Sequence, residues 1–321
     1  KNNLVGLPLT LLDVTPKDEV VILEAGMNHK GEIQRLVEIA QPDVGIILNV
    51  GPAHIGYFGS LEAIGDAKWE LVETMDKGGK VIINGDDPIL SAKGKGQSGI
   101  QLFGADSGDY GVKNLYVSKN GTTFSLERES KEIFFNLPMI GRHFLEAVLA
   151  VITIAEDFNI SVEEIAESLK TFKGVKNRLS VRTNEDWEII NDAYNANPDS
   201  MKAGIQAIHD IRNGIPTWYV LGDMGELGDQ SSIFHREIGN FIAGNIENDL
   251  RKPGFICVGG MGKVIGKTLE KKFGMNLSIK YCTNYKKEVE ILKKEQAGHS
   301  RVYLKASNSM KLYKVEEGLL N

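Results

Sequence analysis

Short, dense runs of branched apolar residues alternate with amphipathic stretches along this 321-residue chain, and that alternation constrains its fold more than any other feature. The runs at 20–23, 44–48 and 80–84 have the length and composition of strands buried on both faces, as parallel sheets require. Helical periodicity fits between them at 30–40 and 61–75. Strand, helix and parallel strand in succession predict a doubly wound sheet. Residues 101–138 read differently, as short strands with an Asn120-Gly121 turn, hence as antiparallel hairpins. Two helices follow, at 142–157 and 161–172, the second starting at a Ser cap. Near Gly174 the alternation resumes, with strands predicted at 187–191, 217–221, 255–258, 279–282 and 301–304. The expected class is therefore α/β in both halves. The first is a mostly parallel sheet with helices and a small antiparallel part, and the boundary falls near Lys176.

The charge balance narrows the partners. A formal net charge of −6 leaves no basic excess to neutralise a nucleic-acid backbone, although a phosphorylated small molecule needs only a local cluster. Two cysteines, Cys257 and Cys282, allow neither a disulfide framework nor a zinc site and point to a reducing, cytoplasmic setting. No apolar run reaches membrane-spanning length, so no membrane insertion is expected. Lys1 opens directly into apparent structure without an initiator Met, which leads us to expect a fragment.

Three constellations carry chemistry. Glu24 ends the first predicted strand and His54 follows the second. Both thus fall at carboxyl ends of strands, where open α/β sheets bind ligands. A carboxylate and an imidazole there suit a divalent cation, or else a capping Glu and a surface His. Lys68 sits on the apolar stripe of its helix, four residues from both Ile64 and Val72. It either snorkels its amine to water or holds it neutral in apolar surroundings. A neutral amine reacts with CO₂ to give a carbamate, an anionic metal ligand. The third constellation is the run 191–200, dense in hydrogen-bonding groups, with Pro198 placed to open a helix. Residues 221–228 form a parallel case at another strand end. Gly260, Gly262 and Gly266 have one residue too many for a dinucleotide fingerprint, and Met261 stands where a phosphate loop ending in Gly266-Lys267-Thr268 needs glycine.

Taken together these segments resemble the Mur ligases, and within them the branch that adds D-alanyl-D-alanine. The matching stretches are residues 3–12, EAGMNHKGEI at 24–33, 49–68, NGDDP at 84–88, 141–143, DAYNANPDSM at 192–201 and LGDMGELG at 221–228. They span nearly the whole chain in family order. The resemblance implies a Mur-ligase central domain over 1–176 and a Rossmann-like C-terminal domain over 177–321. It implies Mg²⁺ held by Glu24, His54 and a carbamylated Lys68, these three being the catalytic residues. Arg178, Asp192 and His143 are then expected to contact ATP. Asn28, His29, Tyr194, Asn195, Asn197, Asp223, Glu226, Lys305 and Ser307 are expected to hold substrate.

The implied reaction has ATP phosphorylate the terminal carboxylate of a UDP-N-acetylmuramoyl-tripeptide. The amine of D-alanyl-D-alanine then displaces phosphate to form an amide, in peptidoglycan synthesis. A monomer is expected. The family's N-terminal domain and phosphate loop should precede Lys1, so these residues alone are expected to be inactive. Phe144 and Ala147 stand where Asn is usual, and Asn308 where Arg is common. A ligase of the same superfamily with another amine, and a non-catalytic nucleotide- or peptide-binding module, are the rival readings.

Overall fold

A computed structural model describes residues 2–76, 78–108, 110–128 and 130–321; Lys1, read above as opening directly into structure, lies outside them. The chain forms two compact units, Lys1–Gly111 with Leu145–Val162, and Val112–Phe144 with Glu163–Asn321.

In the first unit, α1 (Gly6–Leu12) and α2 (Glu32–Ala40) precede β1 (Val44–Ile47), α3 (Ile55–Phe58) and α4 (Leu61–Thr74). Then come β2 (Lys80–Asn84), α5 (Pro88–Gly94) and β3 (Ile100–Phe103), and later α6 (Phe144–Ala155). The strands pair in parallel in the order β1-β2-β3. Ile47, Val81 and Ile83 of the sheet pack with Trp69 of α4 and Leu90 of α5. The starts of α4 and α5 have a local cause. Ser60 Oγ accepts the Ala63 N–H at 3.1 Å to begin α4, and the Asp87 carboxylate accepts from Ile89 and Leu90, with Pro88 preset for the first turn of α5.

Two expectations fail here. Residues 20–23 form no strand. Their backbone joins no ladder among the described residues, and Ile22 is 91% exposed. Apolar, β-branched composition favours a pleated surface but cannot supply a hydrogen-bonded neighbour. The run expected to begin the hairpins at 101 instead lies within β3, which extends the parallel sheet, because its backbone matches β2 in register from Val81↔Ile100 to Asn84↔Phe103.

The second unit opens with an antiparallel sheet, β4 (Val112–Ser118), β5 (Gly121–Arg128) and β6 (Lys131–Leu137). The hairpin expected at Asn120-Gly121 joins β4 to β5 one residue earlier, through Lys119-Asn120, with Gly121 opening β5 opposite Ser118. Gly121 has φ 131, and a Cβ there would lie 2.1 Å from the Leu137 carbonyl oxygen, so only glycine fits. After α7 (Val162–Lys170) come β7 (Ser180–Thr183), β8 (Trp187–Asn191), α8 (Pro198–Asp210), β9 (Thr217–Leu221), α9 (Ser231–Ile246) and β10 (Gly254–Val258). The chain ends through α10 (Gly259–Phe273), β11 (Ile279–Cys282), α11 (Tyr285–Glu295), β12 (Ser300–Lys305) and α12 (Tyr313–Leu320). The six strands lie in the order β11-β10-β9-β12-β8-β7, all parallel except the edge strand β7, which the sequence did not suggest. β8, β9, β10 and β12 are buried along their whole length, as doubly covered strands should be. On one face Trp187, Trp218, Ile256 and Val302 pack against Leu292, Val315 and Leu319 of the last helices. No helix among the described residues is long and apolar enough to cross a membrane.

Candidate functional site

In the first unit the loop after β1 carries His54 and is tied to Lys68. Val50 donates its N–H to Asp87 Oδ2 at 2.7 Å, so the residue that caps α5 also pins this loop. The Lys68 ammonium reaches the Asn49 carbonyl at 2.6 Å from α4. Burial pushes its pKa below the ordinary lysine value, and the Asp87 carboxylate works in the other direction. Five residues past Asn49, His54 has φ 64 at the start of α3. Lys68 and the loop carrying His54 are therefore joined, through Asn49.

Glu24 stands apart from them in its bonding: its Oε1 accepts the Asn2 amide at 2.9 Å. Asn28 and His29 give their backbone N–H groups to Glu32, and the His29 ring meets Tyr57 edge-on at 5.8 Å. Among the described residues no three His, Cys, Asp or Glu side chains gather as a metal site. With Lys68 Nζ spent on the Asn49 carbonyl and Glu24 on the Asn2 amide, the expected donor set is not gathered for Mg²⁺ as it stands. Two carboxylates that the sequence reading left aside do structural work here. Asp87 is one, and the buried Glu70, which accepts from Gly31 and Gln34 at the start of α2, is the other.

In the second unit three loops leave the carboxyl ends of adjacent parallel strands: 192–197 after β8, 306–310 after β12 and 222–228 after β9. Their ligand position is the one that open α/β sheets use. Asp192 Oδ2 accepts the Lys305 ammonium at 2.6 Å and the Tyr303 hydroxyl at 3.0 Å. Lys305 also donates to the Asn195 carbonyl at 3.3 Å. Asp192 Oδ1 carries none of these bonds. The Tyr303 hydroxyl is so close to α8 that a Cβ on Gly204 would fall 1.9 Å from it, which requires glycine there. Burial and the adjacent Asp192 carboxylate push the Tyr303 hydroxyl pKa far up, so it stays a donor.

Around this centre, Arg178 lies 4.3 Å over the Tyr194 ring, and the Tyr194 N–H donates to Asn177. The His143 ring lies tilted against Phe144, with centroids 4.2 Å apart. It is held below the ordinary histidine range, first by desolvation, with Asp192 opposing and Lys305 adding to the effect. Asn197 is the N-cap of α8, in a reciprocal capping box with Ser200. Asp223 Oδ1 accepts the Met261 and Gly262 N–H groups and so caps α10. Ser307 Oγ donates to the Asp223 carbonyl and accepts the Gly225 N–H at 2.6 Å. Glu226 is exposed at φ 63. The structure thus ties together Asp192, Asn195 and Lys305, and separately Asp223 and Ser307. Tyr303 escaped the sequence reading because it lies inside a strand run that looks purely structural.

The Mur ligase middle domain family model matches residues 1–155, and the Mur ligase glutamate ligase domain model matches 177–304. The UDP-N-acetylmuramoyl-tripeptide–D-alanyl-D-alanine ligase of Bacillus subtilis is 33% identical over 320 residues, covering 99% of this chain and 68% of that protein. The Haemophilus influenzae protein of the same name is 34% identical over 244 residues, 75% of this chain and 52% of that one. Among solved structures, MurF from Acinetobacter baumannii has a TM-score of 0.86 at 27% identity, with 99% of this chain and 68% of that chain covered. MurF from Thermotoga maritima in complex with ADP gives 0.83 at 25% identity, with 98% and 70% covered. The chain therefore spans 52% to 68% of the length of these two curated relatives.

Proposed function

The chain belongs to the Mur ligase family, and we propose that it forms the ATP- and amine-binding body of a ligase that joins D-alanyl-D-alanine to a UDP-N-acetylmuramoyl-tripeptide. The observation that carries this reading is the Asp192–Lys305–Asn195 cluster at the carboxyl ends of β8 and β12, flanked by the Arg178–Tyr194 pair. Such a cluster offers a carboxylate oxygen, an ammonium and backbone groups to two polar ligands. A relative solved with ADP supports a nucleotide ligand, and we assign that ligand to Arg178, Asp192 and His143. We assign the substrates to Asn28, His29, Tyr194, Asn195, Asn197, Asp223, Glu226, Lys305 and Ser307. The two family matches support a division near Lys176 into a central and a C-terminal domain. A cytoplasmic, monomeric enzyme is part of the same reading.

The chemistry needs activation because a carboxylate anion is a poor electrophile. Phosphorylation supplies a leaving group, and the neutral amine then attacks the acyl phosphate carbon, expelling phosphate. Lys305 would offset negative charge as the anionic reactants meet, once it shares its ammonium between them and Asp192, its present partner. Mg²⁺ is assigned by the family reading to Glu24, His54 and a Lys68 carbamate. Glu24 is bonded to Asn2 and Lys68 to the Asn49 carbonyl, so both would have to leave these partners to hold the ion.

The experiment is titration of the 321-residue protein with D-alanyl-D-alanine and with ATP, followed by backbone amide shifts. The dipeptide should move the amides of 192–197 and 222–228, whereas other dipeptides should not. These residues contain no phosphate loop, so ATP should bind more weakly than about 1 mM. Shifts with ATP at micromolar concentration would reject the expected weak binding. Equal response to unrelated amines would favour a ligase with another substrate.

A further inference from the structure

The second unit contains a histidine that neither the family motifs nor the proposed chemistry uses. His235 lies near the start of α9 and is wholly buried. Its Nε2 accepts the Met224 N–H at 2.9 Å, and its Nδ1 lies 2.7 Å from the Ser231 carbonyl oxygen. A carbonyl only accepts, so Nδ1 carries the proton and Nε2 keeps its lone pair. The two bonds select one neutral tautomer. Burial holds the imidazole below its ordinary pKa, while the Ser231 bond and the Asp223 carboxylate pull the other way.

Met224 is the middle of three successive residues anchored from three elements. Asp223 is fixed by the start of α10 through its carboxylate and by Ser307 through its carbonyl. Gly225 is fixed by Ser307 Oγ. Between them the buried Met224 N–H is fixed by α9 through His235. Immediately beyond, Glu226 adopts φ 63, an unfavourable conformation for a residue with a side chain. Such backbone persists where its surroundings over-determine it.

We propose that His235 is a positioning residue: its neutral imidazole fixes the backbone of 223–225 so that Glu226 and the neighbouring amides face the amine substrate. The inference rests on the reading of 222–228 as part of the amine site. The position needs a buried group that accepts toward the loop and donates toward the helix carbonyl. Neutral histidine does both. Glutamine can reproduce the acceptor, and leucine cannot.

The test uses ¹⁵N-labelled 321-residue protein as wild type, His235→Gln and His235→Leu. At pH 7 the wild-type ring should show a protonated Nδ1 and an unprotonated Nε2. The Met224 amide should exchange about 100-fold faster in His235→Leu than in wild type, with His235→Gln restoring most of the protection. Affinity for D-alanyl-D-alanine, read at the Gly225 and Glu226 amides, should fall about tenfold in His235→Leu and recover in His235→Gln. Equal Met224 exchange in all three proteins overturns the proposal. So does a protonated Nε2 in the wild type, a measurement that holds even if His235→Leu does not fold. A wild type that ignores the dipeptide rejects the amine-site reading and with it the substrate role. Met224 protection that still follows residue 235 would then show that the reading of the site failed and not the anchoring.

Discussion

Lys305 Nζ lies 2.6 Å from Asp192 Oδ2, and both residues are more than nine-tenths buried. Removing one partner strands the other charge in a poorly solvated place. Lys305→Met should therefore cost about 3–5 kcal/mol in urea unfolding. The double variant with Asp192→Asn should recover a large part of that loss. Tyr303→Phe removes one neutral donor and should cost about 1 kcal/mol. A Lys305→Met protein as stable as the wild type would mean that the pair is solvated.

Asp87 joins two elements through one carboxylate, capping α5 with Oδ1 and holding Val50 with Oδ2. Asp87→Ala should lose about 1 kcal/mol for the cap and about 1–3 kcal/mol for the orphaned Val50 N–H. Amide exchange should quicken at Val50 together with Leu90. Quickening at Leu90 alone would show that the loop is held by something else.

The same carboxylate tunes Lys68. Because Asp87 raises a lysine pKa that burial lowers, Asp87→Asn should shift the Lys68 pKa further down. More neutral amine means more carbamate at a given pH. With ¹³C-labelled bicarbonate at pH 8, Asp87→Asn should give a stronger carbamate resonance than the wild type, and Lys68→Met should give none from this site. A resonance that survives Lys68→Met belongs to another amine.

Glu288 on α11 is 1% exposed, its carboxyl oxygens have no hydrogen-bond partner, and desolvation pushes its pKa up to about 7. An acid with a raised folded pKa is bound to its proton more tightly when folded. Stability should then be greatest below the unfolded value near 4.5 and fall as pH rises to about 7. The loss across that window is on the order of 3 kcal/mol. Above it the curve should flatten with respect to this group. Glu288→Met should remove the slope and raise the unfolding midpoint at pH 8, whereas an unchanged slope would assign it to other groups.

Much of the second unit was legible because its evidence is local. The runs at 187–191, 217–221 and 255–258 are apolar enough to have no good alternative to burial in a sheet, and the structure places β8, β9 and β10 there. Pro198 after Asn197 announced the start of α8 for the same reason, since a cap and a preset φ act within one turn. The run at 20–23 is equally apolar and forms no strand, because a ladder depends on a neighbour that composition does not provide. Residues 100–103 show the converse, joining a parallel sheet through their register with β2.

The site divides along the same line. The sequence alone determined the α/β alternation, the helix caps and the motif residues that mark the family, because each depends on residues close together in the chain. Tertiary structure decided which of those residues share a bond. Lys305 meets Asp192 across 113 positions, Ser307 meets Gly225 across 82, and Tyr303 joins the cluster only because β12 runs beside β8. Sheet order and register set those meetings, and burial then makes each polar group find a partner or shift its pKa. Neither property is carried by any one stretch of residues.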